Sequence, residues 1–212
     1  SVTPGKVAPT LAVLINLLSC LRRDADLKEV VGAIKSDPVV QYNLVRYLDR
    51  AHLGFDYKFT TFEQAVMVVG YRTLEKWLAT FLLWSNVKHF MPELCLLALT
   101  RGRQMELVTQ RQGMDETTCG LAYITGVFSA LPGILGIPLE AALKPLRPDD
   151  IIVTTLTERA GPLAPSLHYA LATEGGPAKV LAQNLQQVGV SARDANHVMV
   201  ESMLFAERQV TQ

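Results

Sequence analysis

Apolar residues recur along this chain at intervals of three and four, the spacing of one face of an α-helix. Leu74, Trp77, Leu78, Phe81 and Leu82 form one stripe, with Glu75, Lys76 and Thr80 opposite. Val40, Leu44, Tyr47, Leu48 and Ala51 form a second, with Gln41, Asn43 and Arg46 outside, and Ala195, Val198, Met199, Ser202 and Ala206 a third. Helix starts agree. Asp37 can cap a helix whose first position is Pro38, and Thr60 or Thr61 another, with Glu63 or Gln64 three residues on. Asp26, Asp115 and Ser191 read as further caps. Gly54, Gly70, Gly113, Gly161, Gly175-Gly176 and Gly189 read as stops. "DDIIVTTLTE", Asp149 to Glu158, is the one β-prone stretch, and after "RPDD" it too reads as a helix. The pattern predicts an all-α, compact multi-helix bundle. It is read as a single domain over 1–212, its N-terminal half (about 1–112) and C-terminal half (about 113–212) packed as one unit.

The stretch from Cys119 to Pro138 runs twenty residues without a charge. A membrane helix needs about twenty apolar residues in an unbroken run, and Pro132-Gly133 interrupts this one. Leu121, Ile124, Val127, Phe128 and Leu131 lie on one side, and Gly120, Tyr123, Gly126, Ser129 and Ala130 fill the rest. This predicts a helix buried nearly all round, packed closely through its small residues, and no membrane span.

Lysine plus arginine and aspartate plus glutamate each number 20, so the formal charge is zero. That balance argues against a dedicated nucleic-acid binder, which draws affinity from basic residues meeting phosphate. The densest basic groups, Arg22-Arg23 and Arg101/Arg103, read as solvated helix faces. The three cysteines, Cys20, Cys95 and Cys119, are widely spaced and show no C-x-x-C. Among apolar neighbours they read as buried free thiols, which predicts a cytoplasmic setting. No signal-peptide pattern opens the chain.

"AIKSDPVVQYNLVRYLDRAHLGF" followed by "TTFEQAVMVVGYRTLEKWLATFLL" resembles an HDOD domain. The resemblance rests on an isoleucine leading into Asp37-Pro38 and a leucine-rich helix, then Thr61, Gln64-Ala65 and Val69-Gly70. It continues through "MPELCLLALTRGRQMEL", "AYITGVFSALPGILGIPLEAALKPL" and "VMVESMLFAERQ", and so covers nearly the whole chain. The second half is similar to the HDOD half of bacterial EAL-HDOD signalling proteins, in which an EAL-type domain related to cyclic di-GMP phosphodiesterases comes first. With Ser1 in place of an initiator methionine, this predicts a C-terminal fragment without that upstream domain. Asp49-Arg50-Ala51 stands where the family commonly has Asn-Ser-Ala, so no binding role is carried onto those positions.

HDOD domains resemble HD-type phosphohydrolases, whose His-Asp dipeptide and further ligands hold metal. Here Ser129-Ala130 stands in the dipeptide's place, and a hydroxyl and a methyl do not replace imidazole and carboxylate. Ser129 is expected to bond the Thr125 carbonyl. His52, His89, His168 and His197 are followed by Leu, Phe, Tyr and Val, so no His-Asp exists, and none has another at i+3 or i+4. No G-x-S-x-G elbow or P-loop occurs. No catalytic residue, metal or cofactor is therefore expected.

The resemblance implies a bacterial, non-enzymatic signal-transduction domain acting by protein–protein interaction in cyclic di-GMP-linked signalling. Its partner would be an EAL-type domain of the same polypeptide, another regulator, or a second copy of itself. Trp77, Trp84 and Tyr71 are candidate aromatic anchors, with core packing the plainer reading for Trp77. One alternative is a small-molecule or nucleotide sensor with a pocket of convergent polar groups. Another is an atypical metal-dependent phosphohydrolase drawing on His168, His197 and Glu174.

Overall fold

The computed structural model describes residues 11–50, 61–86, 92–144, 146 and 148–210, without the side chains of 11, 12, 49, 50, 84–86, 92 and 210. Ala51, His52, Gly54, Thr60 and His89 lie outside the described residues, as do the side chains of Asp49, Arg50 and Trp84. Among the described residues there is no strand, and the fold is all-α. The chain divides into two compact units, Ser1–Ser85 and Asn86–Gln212.

The first unit is built from α1 (Leu11–Arg22), α2 (Leu27–Lys35), α3 (Pro38–Arg50), α4 (Phe62–Val69) and α5 (Tyr71–Asn86). The Asp26 carboxylate accepts the Glu29 N–H, Asp37 accepts those of Val39 and Val40, and the Thr61 hydroxyl that of Gln64. Each satisfies a donor that a helix start leaves without an intrahelical partner. The apolar stripes go inward: Leu14, Leu17, Leu18, Val30, Ile34, Val40, Leu44, Leu74, Leu78 and Leu82 are buried. Trp77 is core, stacked on Phe81 at 5.2 Å between centroids with Tyr47 beside it. The Tyr71 hydroxyl donates to the Ala25 carbonyl at 2.7 Å. Arg22 pairs with Glu75, tying α1 to α5.

The second unit comprises α6 (Pro92–Arg111), α7 (Glu116–Phe128), α8 (Leu131–Leu135), α9 (Leu139–Leu143), α10 (Asp150–Glu158), α11 (Ala164–Thr173), α12 (Ala178–Val188) and α13 (Ala192–Val210). The β-prone Asp149–Glu158 stretch is helical, and Asp149 caps it by accepting the Ile151 N–H. Helices α6 and α7 form the centre. Helices α8, α11 and α13 pack on α6, and α10 and α11 on α7. At one end Leu107, Val108, Tyr169, Val188, Val190, Ala195 and Val198 close a core, with Leu181 and Leu185 of α12 against it. Gly113, at φ +74°, turns α6 into α7 within this unit.

Every residue from Ala122 to Phe128 is buried. Residues 116–135 are long and apolar enough to cross a membrane by length and composition, yet 61% of the 18-residue apolar window within them is buried inside the protein. Helix α7 stops at Phe128, and a new helix starts at Leu131 with Pro132 in its first turn. Burial is possible because two glycines meet. A Cβ on Gly126 would lie 2.5 Å from the Gly102 Cα, and one on Gly102 would lie 2.9 Å from the Tyr123 carbonyl oxygen. The α6 and α7 backbones are therefore in direct contact, and neither position has room for a methyl group.

Two predictions follow from α7. Gly126→Ala forces backbone apart and should cost about 3 kcal/mol or more. Gly120→Ala, in the same helix with nothing within 4 Å of the added carbon, should gain about 0.5–1 kcal/mol; denaturant melts of the two variants separate the crossing from mere helix propensity. At the start of α7, hydrogen bonds from the Thr118 hydroxyl and N–H hold the Asp115 pKa down to about 2, against an ordinary 3.8. A depressed folded pKa gives stability that is complete above the unfolded value and lost as pH falls through the folded one. Asp115→Asn should therefore lose less stability than the parent between about pH 4 and pH 2, read from urea midpoints across that window.

Candidate functional site

Helix α6 carries polar side chains into the middle of the second unit. Arg101, Gln104, Glu106 and Thr109 are all buried. Arg101 follows Ala98 by three residues and precedes Met105 by four, so helical geometry turns it inward with them. Next to the Gly102–Gly126 contact, its guanidinium meets two other elements. Nε and Nη2 donate to the two carboxylate oxygens of Glu174, each at 2.7 Å, in a bidentate pair. Nη1 donates to Ser129 Oγ at 2.5 Å. Ser129 and Glu174 are the residues at which α7 and α11 end. One arginine thus joins the middle of α6 to the ends of two helices.

This corrects two expectations. Arg101 is not on a solvated face: its side chain is 7% exposed, and that of Arg103 24%. Ser129 does not turn its hydroxyl to Thr125. The Ser129 N–H takes that carbonyl, and the hydroxyl donates to Gly126 at 2.5 Å while accepting from Arg101. Nor is the interior wholly apolar. Glu174 reads in sequence as part of the "EGG" stop, and nothing near it points to a partner 73 residues away.

A second polar layer lies one turn along. The Gln104 amide donates to Thr173 Oγ1 at 3.3 Å and faces Met199 Sδ. Arg103 donates to Glu106 at 2.8 Å and to Glu201 of α13 at 2.5 Å, with its guanidinium 5.6 Å from the Phe205 ring centroid. Burial opposes the Arg103 charge, yet hydrogen bonds and charge from Glu106 and Glu201 outweigh it and hold its pKa above the usual value.

The structure does not bring together the side chains weighed as metal ligands. Glu174 is taken up by Arg101, and His197 is exposed on α13. His168, half-buried on α11, lines an open groove of about 710 Å³ with Val180, Gln183, Asn184, Gln186 and Gln187 of α12. Among the described residues no three His, Cys, Asp or Glu side chains converge. Ala130, beside Ser129, is buried. Cys20, Cys95 and Cys119 are buried free thiols, and burial pushes the first two above the ordinary thiol pKa. Chemically, the Arg101 cluster can hold helix ends in register.

No family model matches the chain, and no solved structure matches it. The chain is distantly similar to two curated proteins. It is 22% identical over 185 residues to the cyclic di-GMP phosphodiesterase CdgJ of Vibrio cholerae, covering 87% of this chain and 42% of CdgJ. It is 23% identical over 136 residues to YuxH of Bacillus subtilis, an uncharacterized protein, covering 63% of this chain and 32% of YuxH. The chain spans less than half the length of both relatives.

The cluster predicts an asymmetric mutational response. Glu174→Ala strands a buried guanidinium and should cost about 3–5 kcal/mol. Arg101→Met leaves a carboxylate that is already partly solvated, 24% exposed, and should cost clearly less. The double variant should be more stable than Glu174→Ala alone, as denaturant titrations of all three will read.

Proposed function

We propose that this chain is a non-catalytic, HDOD-like signalling module that acts by docking onto other proteins in cyclic di-GMP-linked regulation. The observation that carries the reading is the contact of Arg101 with Ser129 and Glu174. At the place where the resemblance would put a metal-binding His-Asp pair, this protein has a serine held by a buried cation. The Glu174 carboxylate, weighed above as a metal ligand, is already engaged in a bidentate pair. A helical domain of this kind works through differential contacts with its partners. The distant similarity to CdgJ supports the link to cyclic di-GMP. Where an EAL-type domain shares the polypeptide, that domain is the first partner to test, and a cytoplasmic setting fits the reduced, buried thiols.

Two measurements test the reading. The purified 212-residue chain, given cyclic di-GMP with Mg²⁺ or Mn²⁺, should show no turnover above buffer. Deleting the corresponding codons in the native gene, with the rest kept in frame, should shift the cellular cyclic di-GMP level. Metal-dependent hydrolysis by the isolated chain, or an unchanged level in the deletion strain, would overturn the proposal.

A further inference from the structure

Helix α12 is held less firmly than the helix before it. Val188 is the only buried residue among its eleven, where α11 buries six of ten. Leu181 and Leu185 are partly buried, and with Val188 they lie at i, i+4 and i+7 on one face. That face covers an end of the core formed by Leu107 and Val108 of α6, Tyr169 of α11, and Val190, Ala195 and Val198. Among the described residues, the one hydrogen bond that α12 makes beyond itself and its capping turns runs from Gln112 Nε2 to the Val188 carbonyl, at 3.2 Å, and it makes no ion pair. Its seam with α11 is open as well: the groove of about 710 Å³ lies between His168 and Gln183, Gln186 and Gln187.

The segments on either side are fixed. Glu174, before α12, is clamped by Arg101. After it, Val190 is buried, and the Ser191 hydroxyl accepts the Asp194 N–H at the start of α13. Between these fixed points the backbone turns at Gly175, φ +127°, and at Gly189, φ +65°, conformations that glycine adopts without strain. We propose that α12 is a strap that unfolds by itself while α6, α7, α11 and α13 keep their structure, so that this end of the second unit alternates between covered and open. Isolated helices shorter than about 12–15 residues are marginal in water, and α12 has eleven. Leaving its seat and unfolding are therefore one event. Residues 175–189 then form a tether that reaches roughly 50 Å, against about 16 Å for the folded helix, so neither fixed point has to move. Opening uncovers the side of the core that Leu181 and Leu185 cover, an order–disorder change that exposes apolar surface without global unfolding. The inference is independent of the docking reading: the strap opens in the same way whether or not the chain hydrolyses cyclic di-GMP.

The test is native-state hydrogen exchange of the whole 212-residue chain, followed amide by amide by NMR. The amides of 182–188 should share one protection level and exchange at least about tenfold faster than the slowest amides of α6, α7 and α11. Low urea should speed the α6 and α7 amides and leave those of α12 almost unchanged, because local opening exposes little surface. Ile124→Val, at a buried site of α7, supplies the control. It weakens the core by a mild cavity and should speed the slowest α6 and α7 amides about fivefold, while α12 keeps the parent rate. Three results count against the strap: α12 amides as slow as those of α6 and α7, α12 amides accelerated by Ile124→Val as much as theirs, or protection that falls off smoothly from the ends of α12 rather than being shared along it.

Discussion

The second unit depends on one contact, the meeting of the α6 and α7 backbones at Gly102 and Gly126. Two helices brought this close exclude side chains from between them, and their neighbouring residues are set at fixed offsets. Arg101, adjacent to Gly102, is thereby aimed at the end of α7, where Ser129 waits three residues past Gly126. Glu174 then completes the guanidinium's coordination from the end of α11. Helix α13 lies on the same central helix through Gln104 and Glu201. The close crossing is thus the condition for the polar cluster, and the cluster ties the ends of other helices to it.

A buried ion pair is a poor source of net stability, because desolvation offsets much of the attraction. A bidentate guanidinium accepts few geometries, and an alternative packing would leave charge without compensation. In the second unit, Arg101 joins α6 to the ends of α7 and α11, and Arg103, two residues along on the same helix, joins it to α13.

Much of this was legible in the sequence, and the exceptions have definite causes. Caps at Asp26, Asp37, Thr61, Asp115 and Ser191 were readable because each cap bonds a donor two or three residues away. The stripes through Leu74–Leu82 and Ala195–Ala206 were readable because burial follows helical period. The small residues of α7 announced a close neighbour, but which helix supplied Gly102 is a tertiary fact. The burial of Arg101 left a trace, since it shares a face with Ala98 and Met105, and a charge on an apolar face asks for a partner. That partner, Glu174, lies far along the chain among glycines that look like simple punctuation. The boundary between the compact units, after Ser85, falls inside the strong periodic pattern of α5 and carries no compositional mark.

The placement of the three thiols has a practical consequence. Cys20 is in one unit, and Cys95 and Cys119 are in the other, all shielded from solvent. A shielded thiol reacts with an alkylating reagent only while the structure around it is open. The native chain therefore carries its own probes, without any engineered label: the modification rate at Cys20 and that at Cys95 and Cys119 clock the breathing of each half separately, and their comparison shows whether the halves open together or one at a time.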